Sequence, residues 1–435
     1  MSTARARLPP WRRRIVHAWL GVPLLGLWRL LDLLLPKRMD RWGFFAHPLK
    51  PGQFIENARA VHEQVRHDRS IECRIFVRGG HRPPGLEDSP GTRVVDLDTV
   101  AGLWALARCG VLLLTNSTAM DMALGWRGGG FGAPRPWLRR RVVVNLWHGI
   151  PLKRLFALAN PEQRRHGDRN RFRRRERRHY DGLVASSAVD GHAMAAIFHP
   201  LPPSRVWVTG LPRNDFLRMP EARLPPCLRE ELLRVRTLRD GRRLVLYAPT
   251  YRDASVAPEL CYRFSDVEVH RLKQLLDAHG AVLGVRGHYL ANAPSPFDRR
   301  RHVDGRLIVE LEHDAFHEIA PILRESAAVV TDYSSVYIDA LCLDLPVVSF
   351  AWDLEHYDRR QNGLLYDMEL AFPGPVTRSF EALLAALGAV LAGPAPPPDE
   401  RYRATRRMFF QHDDGHNSRR VVERIRHAVA TRGGR

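Results

Sequence analysis

Unbroken apolar, β-branched runs of four to six residues recur along the chain, separated by stretches with a helical apolar repeat. The runs Cys73–Val77, Val94–Leu97, Val111–Thr115, Val142–Trp147, Leu183–Ser186 and Val206–Thr209 predict strands in the first half. Leu244–Ala248, Val282–Val285, Leu307–Glu310, Ala328–Thr331 and Val347–Phe350 predict strands in the second. Continuous rather than alternating apolarity marks strands covered on both faces. Helical spacing occupies Phe54–Arg66, Asp190–Phe198, Val267–His279, Phe316–Ser326 and Ser379–Leu391. This alternation predicts an α/β fold with parallel sheets wound by helices. A charged, strand-poor stretch near Arg218–Arg243 divides the runs into two series. The expected organisation is two Rossmann-like domains, residues 37–217 and 244–398, facing each other across a cleft. Residues 218–243 would link them, and a helical section, 399–435, would follow the Pro-rich Gly393–Pro398.

The first 36 residues differ. Arg5, Arg7 and Arg12 to Arg14 precede an apolar run from Ile15 to Leu35, which as a helix would be about 31 Å long. His17, Gly21, Arg29 and Asp32 fall in one sector of that helix, a thin polar stripe on an apolar cylinder. The stripe favours a helix lying in a membrane interface, anchored by its basic flank. A helix packed on the protein ranks second. A transmembrane span ranks last, because Arg29 and Asp32 are expensive inside lipid.

The length, 435 residues, suits two or three domains, and 45% hydrophobic with 26% charged residues excludes a disordered chain. The formal charge of +20 favours anionic partners. Only four basic residues are lysines (Lys37, Lys50, Lys153 and Lys273), so a general arginine bias inflates that figure. Five widely spaced cysteines without a C-x-x-C argue against a disulfide framework or zinc finger and fit a reducing compartment. Residues 164–178 hold nine arginines, a solvated helix face or a contact for acidic lipid or polymer. Nucleic acid is not an expected partner, since no aromatic interleaving or known module accompanies them.

Candidate chemistry collects where strands end, the place where wound sheets bind ligands. Asn145-Leu-Trp-His-Gly-Ile-Pro-Leu-Lys153 leaves a buried strand and aims His148 at the cleft, where a neutral imidazole can take a proton from a hydroxyl. Arg286-Gly-His288 ends another strand, and an Arg–His pair suits a phosphate. Thr331-Asp-Tyr-Ser-Ser-Val336 ends a strand and opens a helix, where Ser334 and Ser335 either bind phosphate or merely cap. Arg252 and Arg213 stand in two further strand-end loops. His313 and His317 are four apart, but the order is not H-E-x-x-H, and Asp314 reads as a helix N-cap. No P-loop and no G-x-G-x-x-G follows a strand.

These motifs occur together and in order in one family. WHGIPLK at 147–153, TGLPRNDFL at 209–217, YAPTYRD at 247–253, RGH at 286–288 and TDYSSV at 331–336 carry the resemblance. DLEHY at 353–357, FPGP at 372–375 and DGHNSRR at 414–420 extend it. The chain resembles the CDP-glycerol glycerophosphotransferases, which include teichoic-acid glycerol- and ribitol-phosphate primases and polymerases. The resemblance implies a GT-B fold and transfer of an alditol phosphate from a CDP-alditol, such as CDP-glycerol or CDP-ribitol, to a hydroxyl of a lipid-linked glycan, releasing CMP. It implies work at the cytoplasmic face of the membrane, as a peripheral protein. Its essential histidines map onto His148 and His288, with His148 the leading general base. The expected substrate-binding set is Arg286, Arg252, Arg213, Asn214, Asp332, Ser334, Ser335, Gly149, Lys153 and Asp314, the last toward cytidine or ribose. No resident metal or cofactor is expected, although a diphosphate donor can bring Mg²⁺ with it. Two departures stand out: Ile150 where relatives often have Thr, and Leu211 where an aromatic is usual. The competing readings are a GT-B glycosyltransferase, which would release a nucleoside diphosphate, and a non-catalytic binder of anionic polymer, whose binding would follow residues 164–178.

Overall fold

The computed structural model describes residues 18–50, 52–86, 88–124, 132–161, 170–250, 261–287 and 295–433. All eleven predicted strands are present, with two more. The first sheet contains β1 (Arg38–Phe45), β2 (Glu72–Val77), β3 (Thr92–Asp96), β4 (Cys109–Leu114), β5 (Val142–Asn145), β6 (Gly182–Ala185) and β7 (Val206–Val208). Their order is β3-β2-β1-β4-β5-β6-β7. The second contains β8 (Arg243–Tyr247), β9 (Ala281–Val285), β10 (Ile308–Glu310), β11 (Ser326–Thr331), β12 (Val347–Phe350) and β13 (Val376–Thr377), ordered β10-β9-β8-β11-β12-β13. The pairings within both sheets are parallel. The strand order reverses between β1 and β4 in one sheet and between β8 and β11 in the other, which places a ligand crevice at each of those points.

Of the two strands absent from the prediction, β13 is at a sheet edge and β1 is central. Its sequence begins with charge, Arg-Met-Asp-Arg, so no apolar run announces it. Trp42 and Phe44 join one core cluster and Phe45 the other. Gly43 lets the neighbours close in: a Cβ there would lie 3.2 Å from the side chains of Leu112 and Phe76.

Three further expectations change. The stretch expected as a linker holds a helix, Pro226–Arg239, tied to the second domain through Arg236 and Arg239 on Glu325. The helix expected over Phe316–Ser326 is only Ala320–Glu325, with Pro321 in its first turn. Before it, the backbone N–H groups of His317 and Glu318 donate to the buried carboxylate of Glu231, which holds that segment out of helix. Asp314 therefore caps nothing and lies exposed in a turn.

The helical section at the end of the chain is two helices, Glu400–Phe409 and Asn417–Gly433. The second returns to the first domain. Asp215 accepts from the backbone N–H groups of Asn417 and Ser418, Arg426 pairs with Asp68, and Arg432 pairs with Asp181 at 2.8 Å. Gly210, at φ +79°, gives Asn417 the space to dock.

The amino-terminal helix, Ala18–Leu34, packs with Asp32 of its polar stripe inward, while Arg29 of the same stripe is exposed. Asp32 is fully buried, paired with Arg141 and, at 3.0 Å, with Lys37. Trp28 donates to the Leu103 carbonyl at 2.8 Å. The packed reading thus holds for this face. The opposite face carries Leu27, Leu30 and Leu34, which are 65%, 60% and 77% exposed. No helix among the described residues is long and apolar enough to cross a membrane.

Candidate active site

Several of the expected site residues, among them His148, Gly149, Arg213 and Ser335, meet where the carboxyl ends of the two sheets face each other. β5 runs out through Asn145, whose Oδ1 accepts from the Trp147 N–H at 2.9 Å. Trp147 sits at φ +54°, an uncommon conformation for a bulky residue. The turn is clamped by Asn57, fully buried, whose Nδ2 donates to the carbonyls of Leu146 and Trp147 at 2.9 and 3.0 Å. The Oδ1 of the same side chain accepts from the Arg213 N–H at 2.9 Å. One amide therefore fixes the loops carrying His148 and Arg213 relative to each other.

The His148 ring packs on Trp147, with centroids 4.0 Å apart, and its Nδ1 is 3.1 Å from the Thr115 carbonyl. A carbonyl only accepts, so Nδ1 carries the proton and Nε2 keeps its lone pair. The ring edge is open to solvent, yet the protein crowded around it holds the imidazole pKa below 6.5 by desolvation. Desolvation thus favours the neutral imidazole at His148.

Arg213 joins the domains. Its Nη1 donates to the His148 carbonyl at 2.8 Å, and its Nη2 pairs with Asp339 of the helix Val336–Leu341 at 2.6 Å. A Cβ on Gly149 would lie 3.5 Å from the Ser335 hydroxyl, so the serine pair of the second domain abuts the His148 loop. Ser335 occupies the cap position of Val336–Leu341 but makes no side-chain cap bond, so the capping reading does not hold at Ser335. Lys153 forms a bridge with Leu364 and lies 5.9 Å over the Tyr357 ring, which stacks on Tyr333 at 4.3 Å.

A second group surrounds Arg286 at the end of β9. Its Nη1 donates to the Leu311 carbonyl at 3.1 Å, and its Nη2 is 3.0 Å from His313 Nδ1. Lys50, from the first domain, reaches the same nitrogen at 2.9 Å, while His313 Nε2 donates to the Gly287 carbonyl. Burial and mutual repulsion push Lys50 down to about 8, and burial pushes Arg286 down to about 10. Glu318, on which the Glu56 N–H donates at 2.6 Å, is pushed up to about 8 by burial and by Glu56. Glu56 also lies 4.0 Å from Arg213, which connects the two groups.

Other expected residues take supporting places. Asp332 is buried, and its Oδ1 accepts from the N–H groups of Thr250 and Tyr333. Asn214 is buried against Cys342, 3.6 Å from its Sγ. Asp314 is exposed near Lys50. Ile150 and Leu211 both lie in the core, so neither departure puts an apolar side chain into the cleft. His288 and Arg252 lie outside the described residues. Asn57, Lys50, His313 and Glu318 were not expected. Lys50 and Asn57 follow the unpredicted β1, and His313 was read only as half of a metal pair. Among the described residues no group of His, Cys, Asp or Glu is placed to hold a metal ion.

Comparison with known proteins assigns the chain to a family. The family model for CDP-glycerol:poly(glycerophosphate) glycerophosphotransferase matches residues 35–427. A teichoic acid poly(glycerol phosphate) polymerase of Bacillus subtilis strain 168 is 25% identical over 386 residues, covering 86% of this chain and 47% of that protein. The chain thus spans about half the length of that relative. A teichoic acid glycerol-phosphate transferase of Staphylococcus aureus is 27% identical over 305 residues, covering 66% of this chain and 71% of that one. A solved variant of the wall teichoic acid polymerase TagF, soaked with CDPG, superposes with a TM-score of 0.71 at 19% identity, covering 95% of this chain and 94% of that one. That superposition shows a shared two-domain fold.

Proposed function

The chain belongs to the CDP-glycerol:poly(glycerophosphate) glycerophosphotransferase family, and from that membership we propose that it transfers glycerol phosphate, or another alditol phosphate, from a CDP-alditol to a hydroxyl of a lipid-linked cell-envelope glycan. The acceptor oxygen attacks the alditol-bearing phosphorus, the diphosphate P–O bond breaks, and CMP leaves. The observation that carries this reading is His148: Nδ1–H held by the Thr115 carbonyl, Nε2 left as acceptor, and a pKa below 6.5. A base poised in this way takes the hydroxyl proton as the O–P bond forms.

The negative charge on the donor is met from both domains. Arg213 and the Ser334–Ser335 turn flank the His148 loop, and Lys50 and Arg286 form the second cationic wall. His288 follows Arg286 by two residues and is proposed to hold or protonate the reacting phosphate, with Arg252 as a further contact. Lys153, Asn214, Asp332 and Asp314 serve the same site in this reading, Asp332 and Asn214 through the turns they hold. Mg²⁺ enters only as a companion of the donor's diphosphate oxygens. A peripheral position on a membrane surface, beside a lipid-linked acceptor, is part of this proposal, and the outward leucines of Ala18–Leu34 support it.

The test is nucleotide release. Purified protein is offered CDP-glycerol, CDP-ribitol and a panel of UDP-sugars, with a lipid-linked glycan extract. Acceptor-dependent CMP is expected, falling by about 10²–10⁴ in His148→Ala. Release of UDP from a UDP-sugar, with no CMP from either CDP-alditol, would replace phosphate transfer with sugar transfer.

A further inference from the structure

Glu56 opens the helix Glu56–Val65, which follows β1 at the point where the strand order of the first sheet reverses. Its φ is +59°, in the left-handed region that a non-glycine residue rarely occupies. Bonds on either side hold it there. Its own N–H donates to Glu318 of the second domain at 2.6 Å, and Asn57, next in sequence, clamps the His148 and Arg213 loops. Glycine takes this conformation without steric cost. A glutamate there carries a carboxylate into the cleft under backbone strain, and such strain clusters at ligand-binding positions. A carboxylate in a helix's first turn also suits the helix dipole, but that interaction asks for neither a left-handed φ nor a place in the cleft.

The carboxylate itself is uncommitted. Among the described residues neither of its oxygens has a hydrogen-bond partner. Its ion pair with Arg213 Nη1 is 4.0 Å long, and that nitrogen donates to the His148 carbonyl instead. Its charge is nevertheless felt across the site. Burial lowers the pKa values of His47, Lys50 and His148, and in all three the largest opposing influence is Glu56. One negative charge thus stands among groups that serve a diphosphate and a base. A phosphate would be repelled at this point, so the part of a substrate that meets Glu56 is uncharged. An ionised carboxylate only accepts hydrogen bonds, and its two oxygens match two adjacent hydroxyls.

We propose that Glu56 is a specificity residue that accepts hydrogen bonds from the vicinal hydroxyls of the donor's alditol. The assignment rests on the transfer reaction proposed above. Cytidine carries a vicinal diol on its ribose as well, but position favours the alditol. Glu56 lies beside Arg213, which touches the His148 loop, and His148 acts at the alditol-bearing phosphorus. The ribose is joined to the other phosphorus of the diphosphate. Glu56 would thereby select donors that carry a diol and orient the alditol-bearing phosphorus toward the acceptor oxygen.

The full chain is titrated calorimetrically with CDP-glycerol and with CDP-propanol, which lacks both alditol hydroxyls, with and without Mg²⁺. Turnover on the glycan extract is measured in parallel. The wild type should bind CDP-glycerol about tenfold more tightly than CDP-propanol, the lower end for bonds to a charged group, because Glu56 is 27% exposed. Glu56→Ala should abolish that preference, and Glu56→Gln should keep part of it. CDP-propanol should bind both variants at least as tightly as the wild type, since a negative charge near the diphosphate is gone. That binding also reports that the variants fold. The proposal is overturned if both variants keep the wild-type preference. It is overturned too if Glu56→Ala weakens the two donors alike, which would mean the ribose diol or a structural role. A loss seen only with Mg²⁺ would make the carboxylate a metal contact, and a rise confined to the acceptor KM would move the diol to the glycan; either result overturns it. Equal binding of the two donors by the wild type overturns this assignment alone. Failure to bind either donor brings down the transfer reading as well.

Discussion

At the scale of single residues, protonation sets when the cleft is competent. His148 accepts a proton only when neutral, and desolvation lowers its pKa below 6.5. Lowering the pKa of a base moves its acid limb downward, so the acid limb of kcat/KM should lie below that of an ordinary imidazole. Lys50 works the other way. It helps neutralise the donor only while protonated, and its pKa lies at about 8. An alkaline limb near pH 8 should follow, because kcat/KM reports the free protein, before donor phosphate raises that pKa again. The measurement is kcat/KM for CDP-glycerol from pH 5 to 9. An acid limb at or above pH 7 would mean that a group other than His148 is the base. Neither shift can be read from the sequence, since the histidine and the lysine look ordinary until packing around them is known.

At the scale of elements, two loops are fixed by a helix from the far end of the chain. Asn417–Gly433 docks on the TGLPRND loop through Asp215, and Asn417 occupies the space above Gly210. A Cβ on Gly210 would lie 2.0 Å from Asn417 Oδ1, at a φ of +79° that disfavours any side chain. Gly210→Ala should therefore cost about 2–4 kcal/mol, the sum of left-handed strain and overpacking. It should also loosen the carboxyl-terminal helix, visible as faster proteolysis between Phe410 and Asn417 together with a lower Tm. An unchanged Tm would show that the docking carries no stability. The same elements show what was legible in the sequence. The eleven buried strands announced themselves because both faces are covered. β1 did not, because its first half is charged where it leaves the core, with Arg38 and Arg41 spent on Glu72. Missing β1 hid Lys50 and Asn57, which follow it. The helix start at Ala320 was misplaced for a non-local reason: Glu231, far away in sequence, takes the N–H groups that a longer helix would have used. His148, Arg213 and Arg286 were found because strand-end loops advertise ligand sites by position alone.

At the scale of the whole molecule, the proposed membrane position rests on the amino-terminal helix. The sequence ranks a helix lying in the membrane interface ahead of one packed on the protein. Instead Asp32 faces inward to Arg141, and at 100° per residue Leu27, Leu30 and Leu34 stand about 160–220° from it, directed away from the core. Val100 and Trp104 are exposed on the neighbouring helix, Val100–Arg108, and Arg29 and Arg140, which donates to the Leu33 carbonyl, are exposed as well. An apolar face rimmed by arginine is the pattern of a helix lying on an anionic bilayer. Arg141, which anchors that helix, opens β5, and His148 follows its other end. Four strand residues at about 3.3 Å each put the base roughly 15–20 Å from the anchor. An acceptor hydroxyl carried some distance above its lipid would meet His148 there. Leu27→Gln, Leu30→Gln and Leu34→Gln combined should lower binding to vesicles containing anionic lipid at least about tenfold, since each buried leucine contributes about 1.5–3 kcal/mol. CDP-glycerol affinity in solution should not change, because none of the three touches the cleft. Sedimentation with vesicles of zero and high anionic content, at low and high salt, separates the leucine contribution from the arginine one. If the triple variant sediments like the wild type, the leucine face is not what meets the bilayer. If the wild type ignores anionic vesicles altogether, the peripheral placement itself is wrong.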